Sequence, residues 1–178
     1  VYKHITVTLV ITSVLLAGCS FSSVDADKGE MVDVSLMNSE GKQVGTATLS
    51  ETSKGTHILL KAEGLAPGIK AIHFHEKASC EKPTFESAGG HFNPTGKEHG
   101  FQNHKGYHAG DLPNIEIDKD GTVELETISP AVVLTQGKSN SLLDADGSAI
   151  VIHESADDYK TDPAGNSGKR IVCGEIKK

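Results

Sequence analysis

The chain has 178 residues, a length that suits one domain, or one domain with a tail, and leaves ample room for a hydrophobic core. Aromatic residues make up only 4%, tryptophan is absent and 19 glycines are spread along the chain, which favours many short strands and turns over long helices. A formal net charge of -7 argues against a nucleic-acid ligand, since phosphate backbones are met by an excess of Lys and Arg; any anion must be drawn in by a local basic patch.

The first residues differ from the remainder. Lys3 precedes the apolar run "ITVTLVITSVLLAG", Ile5 to Gly18, which is too short for a comfortable membrane span and has the form of a secretion signal. Leu16-Ala17-Gly18-Cys19 resembles a bacterial lipoprotein box, implying cleavage before Cys19 and a lipid on its thiol. An ordinary secretory signal with an incidental cysteine is the alternative. Residues 1–18 are therefore read as a lipoprotein signal and residues 19–30, with the polar stretch "SFSSVDADKGE", as a tether too poor in apolar side chains to bury itself. With Cys19 used in this way, Cys80 and Cys173 remain. In an exported protein an even remainder reads as a disulfide, with two free buried thiols as the alternative.

From Met31 onward short alternating or β-branched runs recur: "MVDVSLM", "VGTATLS", "THILLKA", "KAIHFHE", "IEID", "TVELETI", "AVVL", "AIVIHE" and "RIVCGEI". Glu40-Gly41, Ala66-Pro67-Gly68, Asp120-Gly121 and Asp146-Gly147 supply turns between them. The pattern is all-β and predicts a sandwich or barrel of about eight strands. Two stretches interrupt it, Glu76 to Asn114 and Glu154 to Lys169, both rich in Gly, Pro, His, Asp and Asn. The first is far longer than an ordinary connection, and loops of that length inside a domain usually carry function.

Most of the nine histidines lie in or beside those loops. In "HFH", His73 and His75 stand two apart on a strand, so both face one way while Phe74 faces the other. Alone, such a pair is weak evidence for a metal, since surface or hydrogen-bonded histidines are the commoner case. "GGHFNPTGKEHG" adds His91 and His99, "GYHAGDLPN" adds His108 and Asp111, and "AIVIHESADD" adds His153. Nitrogen-rich ligands with one carboxylate suit copper and zinc, and six imidazoles serve two ions only if one imidazole is shared.

The motifs "HFHEK", "SAGGHFNPTGKEHG", "HAGDLPN", "VIHESADD" and "GNSGKRIVCG", in that order across residues 31–178, resemble those of the copper,zinc superoxide dismutases. The resemblance implies an eight-stranded Greek-key β-barrel with long metal-binding loops. It implies copper bound by His73, His75, His91 and His153, and zinc bound by His91, His99, His108 and Asp111, with His91 as the shared imidazolate. It implies that Asp157 accepts hydrogen bonds from His73 and His99, and that Arg170 positions the superoxide anion. Lys160 and Lys169 are candidates for wider steering. His4 and His57 are expected to be bystanders; His104, between two implied zinc ligands, either competes for zinc or sits exposed, and exposure is the expectation.

The expected activity is dismutation of superoxide to oxygen and hydrogen peroxide, with copper and zinc as cofactors. The expected place is the outer face of the cytoplasmic membrane, with the lipid on Cys19 as anchor and the cell surface protected. Oligomeric state stays open. A lipoprotein that stores or buffers metal on the same fold is the main rival. A zinc hydrolase fits poorly, because the implied zinc set has no open position.

Overall fold

The computed structural model describes residues 29–178. The expected signal, the lipidation site Cys19 and all but the last two residues of the expected tether lie outside them. The strand segments are β1 (Met31–Asn38), β2 (Gln43–Thr52), β3 (Gly55–Ala62), β4 (Gly68–Lys70), β5 (Ile72–His75), β6 (Ile115–Ile117), β7 (Val123–Ser129), β8 (Ser148–His153) and β9 (Arg170–Ile176). A single 3-10 turn, Glu86–Ala88, is the only helical element among the described residues.

Seven segments form one antiparallel sheet in the order β5-β8-β9-β1-β2-β3-β7, and β4 pairs with β6. Only Ala71 separates β4 from β5, and a tight turn with Asp118 N–H donating to Thr122 O joins β6 to β7. The β4–β6 pair therefore bridges the two edges of the curled sheet and closes an eight-stranded barrel, β4 and β5 being halves of one broken strand. Non-sequential neighbours such as β1–β9 and β3–β7 give the Greek-key connectivity. Turn glycines Gly41, Gly68, Gly121 and Gly147 all have positive φ, as the turn chemistry requires.

Alternation sorts the strands. Val32, Val34 and Leu36 of β1, Ile58 and Leu60 of β3, and Ile150 and Ile152 of β8 fill the barrel. On β2 the phase jumps, with Val44 and Ala47 both buried three residues apart, because a bulge opposite Leu36 and Met37 inserts one extra residue. β5 and β8 are buried on both faces. Phe74 and Ile150 point into the barrel, whereas Ala149 and Val151 pack outside it with Phe85, Ala88 and Cys173 from a second apolar cluster. That cluster and the Cys80–Cys173 disulfide, with Cα atoms 5.8 Å apart, fasten the first long loop to the barrel wall.

One expected strand is absent. "AVVL", residues 131–134, is a hydrogen-bonded loop with Val132 and Leu134 buried. Pro130 offers no donor at its entry, and its backbone bonds go to local or side-chain partners: Val133 N–H to Asn140 O, and Leu134 N–H to Glu51 Oε2. At the far end of β9, Lys178 pairs with Glu30, so the chain enters and leaves the domain at one place.

Replacing both Cys80 and Cys173 by Ser is expected to lower the unfolding free energy of the metal-free domain by up to about 4 to 5 kcal/mol, because the bridge closes a long loop. Urea unfolding curves measure this. A loss below about 1 kcal/mol would mean the unfolded chain gains little freedom from the cut.

Candidate metal centre

β5 sets the site. His73 and His75 face outward from the barrel, opposite Phe74, and are paired in register with Val151 and Ala149 of β8. On its other edge β5 is met by the long loop: Phe74 N–H donates to Gly110 O, Phe92 N–H donates to Phe74 O, and His75 forms an isolated bridge with His91. The extended chain on both sides brings three imidazoles to one face. His153 joins them at the end of β8, where a β9 bulge lets two residues, Ile171 and Arg170, oppose one step of β8. Strict alternation from Val172 and Gly174 would send Arg170 into the barrel, and the extra residue turns it outward beside His153.

Two groups of four donors result, each with its ligand atoms within 4.8 Å of one another: His73, His75, His91 and His153, and His91, His99, His108 and Asp111; a third group, of three, is His73, His99 and Asp157. His91 belongs to both groups of four. All seven residues of those two are at most 7% exposed. In the second group Asp111 Oδ1 lies 2.9 Å from His91 Nδ1, 3.0 Å from His99 Nδ1 and 3.3 Å from His108 Nδ1. Four donors about 2.0 to 2.1 Å from one zinc ion stand roughly 3.3 Å apart in a tetrahedron, so this spacing fits zinc. Asp111 Oδ2 is held by the N–H groups of Gly100 and His108.

The first group is all nitrogen, which suits copper. His75 Nε2 and His153 Nε2 approach to 3.4 Å. His73 Nδ1 and His91 Nε2 are buried without any hydrogen-bond partner. Buried polar atoms are almost always satisfied, so two such orphans facing one space mark a position suited to a metal ion. The donor set therefore fits both ions.

Acceptors behind the rings fix which nitrogen carries the proton. His73 Nε2–H donates to Asp157 Oδ2 (3.1 Å) and His99 Nε2–H to Asp157 Oδ1 (2.9 Å), leaving both Nδ1 atoms free. His75 Nδ1–H donates to Gly89 O (3.1 Å), and His153 Nδ1 has Ser167 Oγ at 3.1 Å. Of the four rings in the all-nitrogen group, only His91 has as its acceptor a member of the second group, Asp111. Asp157 thus ties β5 to the first loop from its place in the second, and is itself gripped by Asn114 through two backbone bonds (both 2.9 Å). Gly165 makes room for it: a Cβ at this position (φ +61) would lie 1.8 Å from Asp157 Oδ1.

Arg170 donates to Phe85 O and Gly89 O, both at 2.7 Å. Lys160 and Lys169 are exposed. His104 is exposed and stands in none of these groups, and His57 lies 3.0 Å from Glu126 on the barrel surface. The supporting roles of Gly89, Asn114, Ser167 and Asp162, whose Oδ1 accepts His99 N–H at 2.7 Å, were not foreseen. Asn114 stands inside the quoted "HAGDLPN" motif, but nothing in its spacing announces a bond to a residue 43 positions later.

Residues 43–176 match the family model for copper/zinc superoxide dismutase. The chain belongs to the copper/zinc superoxide dismutase family. It is 49% identical over 166 residues to superoxide dismutase [Cu-Zn] 2 of Aquifex aeolicus, covering 93% of this chain and 94% of that one. It is 52% identical over 145 residues to a superoxide dismutase-like protein of Bacillus subtilis, covering 80% of this chain and 74% of that protein. Among solved structures, the Brucella abortus Cu/Zn superoxide dismutase superposes with a TM-score of 0.69 at 30% identity, over 83% of this chain and 99% of that one. As a family member this dismutase is an oxidoreductase whose cofactors are copper and zinc.

Burial sets the protonation of the metal-free centre. It lowers the pKa of His91 to about 4 and that of His153 to about 3, and draws His73 and His75 below the usual value as well. His99 goes the other way, to about 9, because Asp111 and Asp157 outweigh its burial. A lowered histidine contributes stability that is present above its unfolded pKa of about 6.5 and lost as pH falls. Raised His99 contributes stability that is present below about 6.5 and lost as pH rises through about 9. The urea midpoint of the metal-free domain should therefore peak near pH 6.5, falling more steeply on the acid side, where four histidines act against one. Asp157→Ala is expected to weaken zinc binding by about 10- to 100-fold in a chelator competition, with unfolding still cooperative.

Proposed function

We propose that His73, His75, His91 and His153 hold copper, that His91, His99, His108 and Asp111 hold zinc, and that His91 is the imidazolate shared between them. The observation that carries this reading is the pair of His91 nitrogens: Nδ1 stands 2.9 Å from Asp111 Oδ1 in one group, and Nε2 is the orphan in the other. A ring with no outside acceptor is free to lose both protons.

Bound copper supplies the one-electron chemistry, taking an electron from one superoxide and giving it to a second. The residues supply the remainder. Two superoxide anions and two protons yield one oxygen and one hydrogen peroxide, so a proton must reach the reduced product. His91 Nε2 is suited to take up that proton and release it, while Asp111, His99 and His108 hold the ring in place on its Nδ1 side. Arg170 keeps guanidinium N–H groups for the anion after two are committed to Phe85 O and Gly89 O. Its position opposite His153 supports a role in placing superoxide beside the copper group. For an acidic chain this is the local positive charge that substrate attraction needs.

Export, with the domain held at the outer face of the cytoplasmic membrane by a lipid on Cys19, is part of the same proposal. The apolar run before Cys19 and the Cys80–Cys173 disulfide support it. Protection of the cell surface from external superoxide is the purpose this place implies. The 52% identity to a protein named only dismutase-like gives the metal-holding alternative its one specific support.

The test is superoxide consumption by residues 20–178, stripped of metal and reloaded with zinc, with copper, or with both. Activity should appear only when copper is present and fall by at least about 100-fold in His153→Ala. Stoichiometric uptake of both metals without turnover would replace the dismutase reading with the metal-holding one.

A further inference from the structure

Glu76 follows His75 directly and has no part in the scheme above. Its backbone N–H donates to Gly90 O (3.0 Å), extending the bridge between His75 and His91. Its side chain turns back over the same loop, and Glu76 Oε2 accepts the N–H of Gly90 at 2.9 Å. That N–H and the carbonyl of Gly89 are two ends of one planar peptide group. The carbonyl end accepts His75 Nδ1–H at 3.1 Å and Arg170 Nη2–H at 2.7 Å. Position 89 leaves room for this arrangement, since a Cβ there would lie 2.6 Å from Glu76 Oε2.

One peptide thus links a carboxylate to an imidazole of the copper group and to the guanidinium. A carboxylate drawing on the N–H end polarises the peptide and makes its oxygen a stronger acceptor, as in any chain of hydrogen bonds. We propose that Glu76 is a positioning residue that orients His75 and Arg170 together through the Gly89–Gly90 peptide. This rests on the reading of His75 as a copper ligand and Arg170 as the anion's partner. By strengthening the acceptor for Nδ1–H, Glu76 keeps the proton there and leaves Nε2 for the metal. By anchoring the same oxygen, it fixes where Arg170 reaches.

Glu86 provides the contrast. Its carboxylate also acts on Arg170 by charge, and it is not hydrogen-bonded to that peptide. Substituting either acid removes one negative charge near the guanidinium, and only Glu76 carries the link.

The experiment compares the wild type with Glu76→Ala, Glu76→Gln and Glu86→Gln, each loaded with zinc and copper. Turnover is one readout. The His75 Nδ1–H proton resonance, recorded with copper reduced, is the other. Glu76→Ala should lower turnover by about five- to tenfold, the loss of one charge-assisted hydrogen bond, and should shift or broaden that resonance. Glu76→Gln, whose amide oxygen still accepts Gly90 N–H, should recover most of the turnover and displace the resonance by a smaller amount. Glu86→Gln should leave the resonance in place and not reduce turnover. An unmoved resonance in both Glu76 variants overturns the proposal, as does an equal fall in turnover for Glu76→Ala and Glu86→Gln. Should Glu76→Ala fail to fold, the Gln variant decides by its resonance alone. A resonance that shifts in the Glu76 variants while the loaded wild type shows no turnover would sink the dismutase reading and leave the peptide link standing.

Discussion

Six imidazoles buried within reach of one another are the constraint on which this molecule depends. Without metal most of them have no comfortable state, His99 excepted, whose cation Asp111 and Asp157 hold from either side. Protonated, they repel in a medium that screens poorly; neutral, they turn lone pairs on one another, as His75 Nε2 and His153 Nε2 do at 3.4 Å. Such a group assembles only because the surrounding frame leaves it nowhere else to go. Rigid pairing of β5 with β8, the second apolar cluster and the disulfide provide that frame. A metal held by such a group would relieve that repulsion, and its binding energy would then be coupled to the folding energy.

Oxygen acceptors complete the arrangement, and they come from different parts of the chain. Asp157 reaches from the second loop to rings on β5 and in the first loop. Gly89 O serves His75, and Ser167 serves His153. Each acceptor selects a tautomer, and a selected tautomer aims one lone pair. The barrel supplies position, whereas these acceptors supply direction. His91 stands outside the scheme, with Nδ1 turned to Asp111 and Nε2 without a partner, which is what allows a single ring to belong to two groups.

Much of this was legible in the sequence because strand geometry has a period of two. "HFH" places two imidazoles on one face of β5 and a phenylalanine in the core without further information. The all-β pattern, its turns and its two long loops followed from composition and spacing. What was not legible depends on partners remote in the chain. The β9 bulge that turns Arg170 outward has no signature in "GKRIVCG", and the loop at 131–134 looks like a strand to any local rule. Val132 and Leu134 are buried alternately as a strand's residues would be, yet the loop's hydrogen bonds go to Glu51 and Asn140 rather than to a ladder. Asn114 and Gly89 matter through a backbone or amide group, and such roles carry no side-chain chemistry to recognise.

The meeting of Glu30 with Lys178 has a consequence for how the domain is presented. β9 runs from Arg170, beside the metal groups, to Ile176, next to the place where the chain enters. The two ends of that strand are about 20 Å apart at the usual rise per residue. Whatever the leading segment is attached to, Arg170 and His153 stand a strand's length from it, while His75, level with Glu175 across β8, lies nearer.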